Sequence, residues 1–144
     1  MSTGSRFTGG CLCGAVRYEA HGDPVFAGHC HCRDCQRATG AGHASYIGMP
    51  RQQVKVSGET RMFSILADSG LPANRLFCPT CGSQIMAADS ATPDIITIFA
   101  GTLDDTSLFN PQAAIYVRSR PHWDRIEGTL PEYEAAPPQE TVKV

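Results

Sequence analysis

The sequence predicts a mainly β fold with short helical turns. Three observations point there. Short apolar or alternating runs recur along most of the chain, Gly and Pro separate them, and there is no internal repeat and at most one weak long-helix pattern. A chain of 144 residues fits one domain. At that size folding buries roughly 68–70% of the unfolded surface, so a core can form that does not depend on metal alone. We expect a flexible N-terminus over 1–7, a single domain over 8–134 and a C-terminal tail over 135–144.

Residues 1–6 are polar and expected to fray. Thr8-Gly9-Gly10 reads as a turn leading into Cys11-Leu12-Cys13-Gly14. A loosely alternating strand is predicted over 15–20, a turn at His21-Gly22-Asp23-Pro24, and a second strand over 25–30. Residues 33–39 tolerate helix and meet Gly40, which predicts one or two helical turns with glycine as the terminator. Further strands are predicted over 43–49, 53–57 and 61–66, with Pro50 and Gly58-Glu59 between them. Residues 74–78 and 83–87 read as a hairpin whose turn is Cys78-Pro79-Thr80-Cys81-Gly82. Residues 95–99 are β-branched and apolar, the pattern of a buried strand. Residues 101–105 turn, 114–118 form the last strand, and the rest is irregular.

Charged residues are 18% of the chain and the formal net charge is −2. Without a basic run the chain lacks the footprint of a nucleic-acid binder. The longest apolar-rich run, 94–100, is too short to span a bilayer, and the first residues lack the apolar stretch of a signal peptide. These features predict a soluble, cytoplasmic protein with neither a nucleic-acid nor a membrane partner. In a reducing cytoplasm thiols stay free or bind metal. The odd cysteine count and the tight spacings oppose the alternative, a disulfide framework.

Seven cysteines divide into four plus three. Cys78-Pro79-Thr80-Cys81-Gly82 is the strongest motif: in such a turn backbone N–H groups face the sulfurs, and Gly82 supplies the dihedrals the turn needs. These knuckles pair around zinc, with Zn–S distances of about 2.3 Å. Cys11 and Cys13 suit the partner role, because residues two apart on an extended chain project to one side. Four thiolates leave no vacant position, so such a site serves stability. The alternative is two buried, inert cysteine pairs.

Cys30, Cys32 and Cys35 remain. Three thiolates leave one position on a tetrahedral zinc. His29, His31 or His43 could fill it, which would make the site structural. Cys32 and Cys35 could also join the Cys78/Cys81 knuckle instead. If the position is open, a soft thiolate-rich zinc suits an incoming sulfur ligand better than it suits water activation. The expectation is a substrate thiol held as a thiolate nucleophile.

The segments Gly10-Cys-Leu-Cys-Gly-Ala-Val-Arg17, His29-Cys-His-Cys-Arg-Asp-Cys-Gln36 and Phe77-Cys-Pro-Thr-Cys-Gly-Ser83 resemble, in that order, the glutathione-dependent formaldehyde-activating enzyme and centromere protein V family. Ile115-Tyr-Val-Arg-Ser-Arg-Pro-His-Trp123 and Leu130-Pro-Glu-Tyr133 are similar to its C-terminal segment. The match runs from about residue 8 to 133. The resemblance implies a compact zinc-containing fold of small packed antiparallel sheets. It implies two zinc ions per chain: a structural one on Cys11, Cys13, Cys78 and Cys81, and a catalytic one on Cys30, Cys32 and Cys35. It further implies carbon–sulfur lyase chemistry that joins glutathione to formaldehyde as S-(hydroxymethyl)glutathione, so the partners are a small thiol and a small aldehyde. A non-catalytic binding or chaperone-like module on the same fold is the alternative, since fold does not fix function.

The remaining features are weaker. His29 and His31 are expected beside the metal region or exposed, and His43 as a satisfied strand histidine. Arg33, Arg37, Arg118 and Arg120 could meet substrate carboxylates, but isolated arginines are usually solvated. Trp123 could wall a cleft beside cations or cap the core; the second reading is preferred. Asp104-Asp105 is expected in a turn. No Ser/His/Asp arrangement, phosphate-cradling Gly loop or carboxylate pair suggests itself.

Overall fold

The computed structural model describes residues 5–138. In chain order the strands are β1 (Arg6–Gly10), β2 (Arg17–His21), β3 (Phe26–Cys30), β4 (Ala44–Pro50), β5 (Val54–Ser57), β6 (Arg61–Leu66), β7 (Pro72–Phe77), β8 (Gln84–Asp89), β9 (Ile95–Phe99) and β10 (Ala113–Ile115); the helix α1 spans Arg33–Thr39. They form a three-stranded sheet, β1-β2-β5, and a seven-stranded sheet, β10-β3-β4-β9-β8-β7-β6. Every pairing is antiparallel except β10 with β3. The fold is mainly β, as the sequence predicts.

Strand side chains alternate between faces, and the large sheet uses both. Ala27, Ile47, Met49, Met86, Ile96 and Ile98 face the small sheet and pack against its Phe7, Tyr18 and Ala20 and against Val16, which precedes β2. Ile47, Met49 and Ile98 are wholly buried, and each contributes roughly 1.5–3 kcal/mol of transfer free energy. On the opposite face Phe26, Cys30, Ala44 and Phe99 pack with Cys35 of α1, Ala113 and Ile115; Tyr46, Tyr116 and Tyr133 border this cluster. β3 is therefore buried at all five positions, which explains its lack of clear alternation in the sequence.

The helix forms as its sequence predicts. Cys32 caps its start, the sulfur accepting from Cys35 N at 3.3 Å. Gly40 ends it in the left-handed region, with its N–H returned to Gln36 O. Gln36 is buried and donates to His31 O at 2.7 Å and Ser119 O at 2.9 Å. Through Gln36 the helix holds the cysteine loop against the C-terminal segment.

Several expectations are corrected. Thr8-Gly9-Gly10 is not a turn but part of β1. Its glycine serves close packing, for a β-carbon on Gly9 would lie 2.2 Å from Thr102 O. β1 also begins inside the stretch expected to be flexible, and Phe7 is buried in the core. The last strand stops at Ile115: Tyr116 adopts φ 55°, ψ 36°, and Val117–Ser119 is a 3-10 turn. Trp123 is 64% exposed and caps no core. His29 and His31 are both buried. All seven cysteines are free thiols, with no disulfide among the described residues. Residues 1–4 and 139–144, parts of the expected N-terminus and tail, lie outside the described residues.

Candidate functional site

The fold gathers the cysteines into two groups. Cys11 and Cys13 follow β1; Cys78 and Cys81 lie in the β7–β8 turn. These four sulfurs lie within 4.8 Å of one another. The Cys11–Cys13 and Cys13–Cys78 sulfur separations are 3.6 and 3.7 Å. A tetrahedron with Zn–S arms of 2.3 Å has edges of about 3.8 Å, so the spacing fits a zinc ion. Backbone N–H groups face the sulfurs: Val16 N is 3.2 Å from Cys11 Sγ and Thr80 N 3.4 Å from Cys78 Sγ. Both turns close on themselves, through Gly14 N to Cys11 O and Gly82 N to Cys78 O. Gly82 has φ +78°, the left-handed value that the knuckle requires. Hydrogen bonds from the Ser83 hydroxyl and then from backbone bring Cys81 down to about 5, which favours the thiolate that binds metal.

Cys30, Cys32 and Cys35 form the second group, again within 4.8 Å. Cys30 ends β3, Cys32 caps α1 and Cys35 lies in its first turn. A short strand-to-helix step therefore turns three side chains toward one point on the outer face of the large sheet. Bonds from Cys30 and Cys32 and, against the opposing effect of burial, from Arg75 hold Cys35 down to about 3. Hydrogen bonds with Cys32 and then Cys35 push Cys30 up. Of the three, Cys35 is the one drawn toward the thiolate, while Cys30 and Cys32 are pushed the other way. Arg75 comes from β7 and brings Nη2 to 3.6 Å from Cys35 Sγ.

No histidine joins this group. His31 and His43 converge instead on Asp124, whose Oδ2 lies 3.1 Å from His31 Nδ1 and 2.8 Å from His43 Nδ1. His29 bonds through Nδ1 to Ser45 Oγ at 2.8 Å and meets the His43 ring edge-on. Burial, then the nearby charges of His43 and His31, push His29 down to about 4. His43 precedes β4 and lines a cavity of about 450 Å³, with Thr39, Ser45, Gln84, Phe99 and Thr102 also on its wall.

None of the arginines singled out from sequence has a described hydrogen bond to a cysteine sulfur. Arg33 and Arg37 are exposed on α1; Arg118 pairs with Asp68 at 3.2 Å and Arg120 with Glu132 at 2.5 Å. Asp104 is bonded by Arg17 and by Thr8 Oγ1. Sequence reasoning missed Arg75, Asp124 and Tyr116. Arg75 carries a faint signal, a cation three residues before the Cys78 knuckle in a strand. Asp124 carries none, since its partners His31 and His43 lie more than eighty residues away. Tyr116 is the only non-glycine residue at positive φ among the described residues. A bulky side chain there costs of order 1–3 kcal/mol, and this one stands beside the three-thiol group.

The chain is similar to known proteins along most of its length. The profile of the family described as glutathione-dependent formaldehyde-activating enzyme matches residues 6–119. A protein of Halomonas elongata, provisionally named a glutathione-dependent formaldehyde-activating enzyme, is 29% identical over 126 residues, spanning 83% of this chain and 80% of that protein. A crystal structure of a Rhodobacter sphaeroides protein shares the fold, with a TM-score of 0.54 at 23% identity, covering 72% of this chain and 91% of that one. Among the described residues no helix is long and apolar enough to cross a membrane. The profile match extends from the first residue of β1 past the three-thiol group, both knuckles and β10, and on that ground the chain belongs to the glutathione-dependent formaldehyde-activating enzyme family.

Proposed function

We propose that this chain is a zinc-dependent carbon–sulfur lyase that joins glutathione to formaldehyde, giving S-(hydroxymethyl)glutathione, and that works with free thiols in a reducing cytoplasm. The observation that carries the reading is the three-thiol group, which no histidine, carboxylate or further cysteine joins among the described residues. Cys30, Cys32 and Cys35 would hold a catalytic zinc. Cys11, Cys13, Cys78 and Cys81 would hold a structural one, giving two ions per chain. Zinc held by Cys30, Cys32 and Cys35 would supply a Lewis acid that prefers soft donors and favours the anionic form of a thiol.

The chain's own part is positioning. α1 and β3 fix the three cysteines, and the apolar cluster of Phe26, Phe99 and Ile115 beneath them excludes water. In the reaction the thiolate sulfur attacks the carbonyl carbon and forms the C–S bond. The π pair moves to the oxygen, which takes a proton from water, and the hydroxide left is neutralised by the proton that the thiol gave up to solvent when it became the thiolate. The reverse direction breaks the same C–S bond and returns the aldehyde. Because this addition also proceeds without a catalyst, the contribution needed is orientation and thiolate supply.

Exchange-resolved NMR of glutathione and formaldehyde at equilibrium tests the proposal. Zinc-loaded protein should raise the exchange rate between free thiol and adduct above the uncatalysed rate, and Cys35→Ser should remove that increase. An exchange rate unchanged by the wild-type protein would overturn the assignment.

A further inference from the structure

Arg75 has no carboxylate partner among the described residues. Its one described side-chain hydrogen bond runs from Nη2 to Cys35 Sγ at 3.6 Å, while Nη1 is buried with no acceptor. A partly buried guanidinium is costly unless a negative charge faces it. Among the described residues the group hydrogen-bonded to it is the thiol cluster, through Cys35. Arg75 reaches it from the neighbouring strands: in the register it lies opposite Ala87 of β8 and Phe63 of β6, and Ala87 packs on the cluster of Cys30 and Cys35.

The two cysteine groups differ in this respect. Around Cys11, Cys13, Cys78 and Cys81 the described donors to sulfur are backbone N–H groups and a serine hydroxyl, all neutral. Among the described residues only the three-thiol group has a cation hydrogen-bonded to a sulfur. Neutral donors suffice for a site whose ligand set never changes. A site that gains and loses an anionic ligand needs more. Three thiolates already outweigh the two charges of zinc, and a further thiolate adds negative charge in a largely buried position. A bonded guanidinium opposes that charge and draws electron density from Cys35, which keeps the ion receptive to another donor.

We propose that Arg75 is the positioning residue that makes the three-thiol centre able to accept an anionic sulfur ligand. This inference rests on the thiol-binding reading above. It assigns Arg75 to ligand selection rather than to holding the ion.

Cobalt-loaded protein, kept under excess cobalt so that both sites stay filled, tests it through the sulfur-to-cobalt charge-transfer band. Glutathione should increase the band in wild type and S-methylglutathione should not. Arg75→Gln should weaken glutathione binding by about tenfold to a hundredfold, the range for a lost charged hydrogen bond. Arg75→Lys, which keeps charge without the planar fork, should fall between the two. With zinc, the same variants should lose kcat/KM mainly through KM. Equal glutathione affinity in wild type and Arg75→Gln overturns the role of Arg75 while leaving the thiol-binding reading intact. No band change in wild type overturns both.

Discussion

Gly42 and Asp124 touch so closely that no β-carbon fits between them: one built on Gly42 would stand 2.4 Å from Asp124 Cγ. The contact seats the carboxylate between His31 and His43, with His31 Nδ1 also facing Gly42 O at 3.3 Å. The glycine is therefore needed for space. Gly42→Ala should displace Asp124 and cost about 1–3 kcal/mol, the range for overpacking. Asp124→Ala should cost a similar amount by taking the shared carboxylate away from His31 and His43. The two share one contact, so denaturant unfolding of the double variant should show much less than the summed loss. Additive losses would mean that the packing and the carboxylate are independent.

Acid should expose a second link. Asp104 is held at about 2, below its ordinary 3.8, by hydrogen bonds from Arg17 and then Thr8. A carboxylate with a depressed folded value contributes stability above its unfolded value, and that contribution disappears as pH falls through the folded one. The difference in unfolding midpoint between wild type and Asp104→Asn should hold steady from pH 7 to about 5. It should shrink between about 4 and 2. Both proteins share whatever acid does to the cysteines, so the difference isolates Asp104. A constant difference through that window would contradict the assignment.

Much of this arrangement is legible in the sequence where cause is local. The turn at Gly40, the knuckle at Cys78–Cys81 and the buried strand at Ile95–Phe99 follow from backbone preference and from side-chain types within a few residues. Gly9-Gly10 misleads because glycine signals both turns and close approach. What decides between them is Thr102, more than ninety residues away. Tyr116 ends β10 by a conformation that no residue-type rule predicts for tyrosine. Arg75 and Asp124 are invisible for a related reason: each acts through a side-chain convergence that depends on sheet order. The separation of seven cysteines into four and three is legible in their spacing together with the family resemblance, and the folded chain brings together the same sets.

The two cysteine groups should respond differently to mutation. Purified protein should carry two zinc ions. Cys81→Ser should lose one and unfold at lower denaturant, because the structural ion joins the start of the chain to the β7–β8 hairpin. Cys35→Ser should also lose one ion but keep its near-ultraviolet circular dichroism. Elemental analysis alongside the spectra checks both outcomes. A wild-type content near one ion per chain would remove the second centre.

The central claim is that the ion on Cys30, Cys32 and Cys35 receives the substrate sulfur. Cadmium-113 NMR of cadmium-loaded protein tests it most directly, since each ion gives its own resonance and Cys35→Ser identifies the one at issue. Glutathione should shift that resonance and leave the Cys11/Cys13/Cys78/Cys81 signal in place. If saturating glutathione leaves the three-thiol resonance where it was, the sulfur does not bind there, and the account is contradicted.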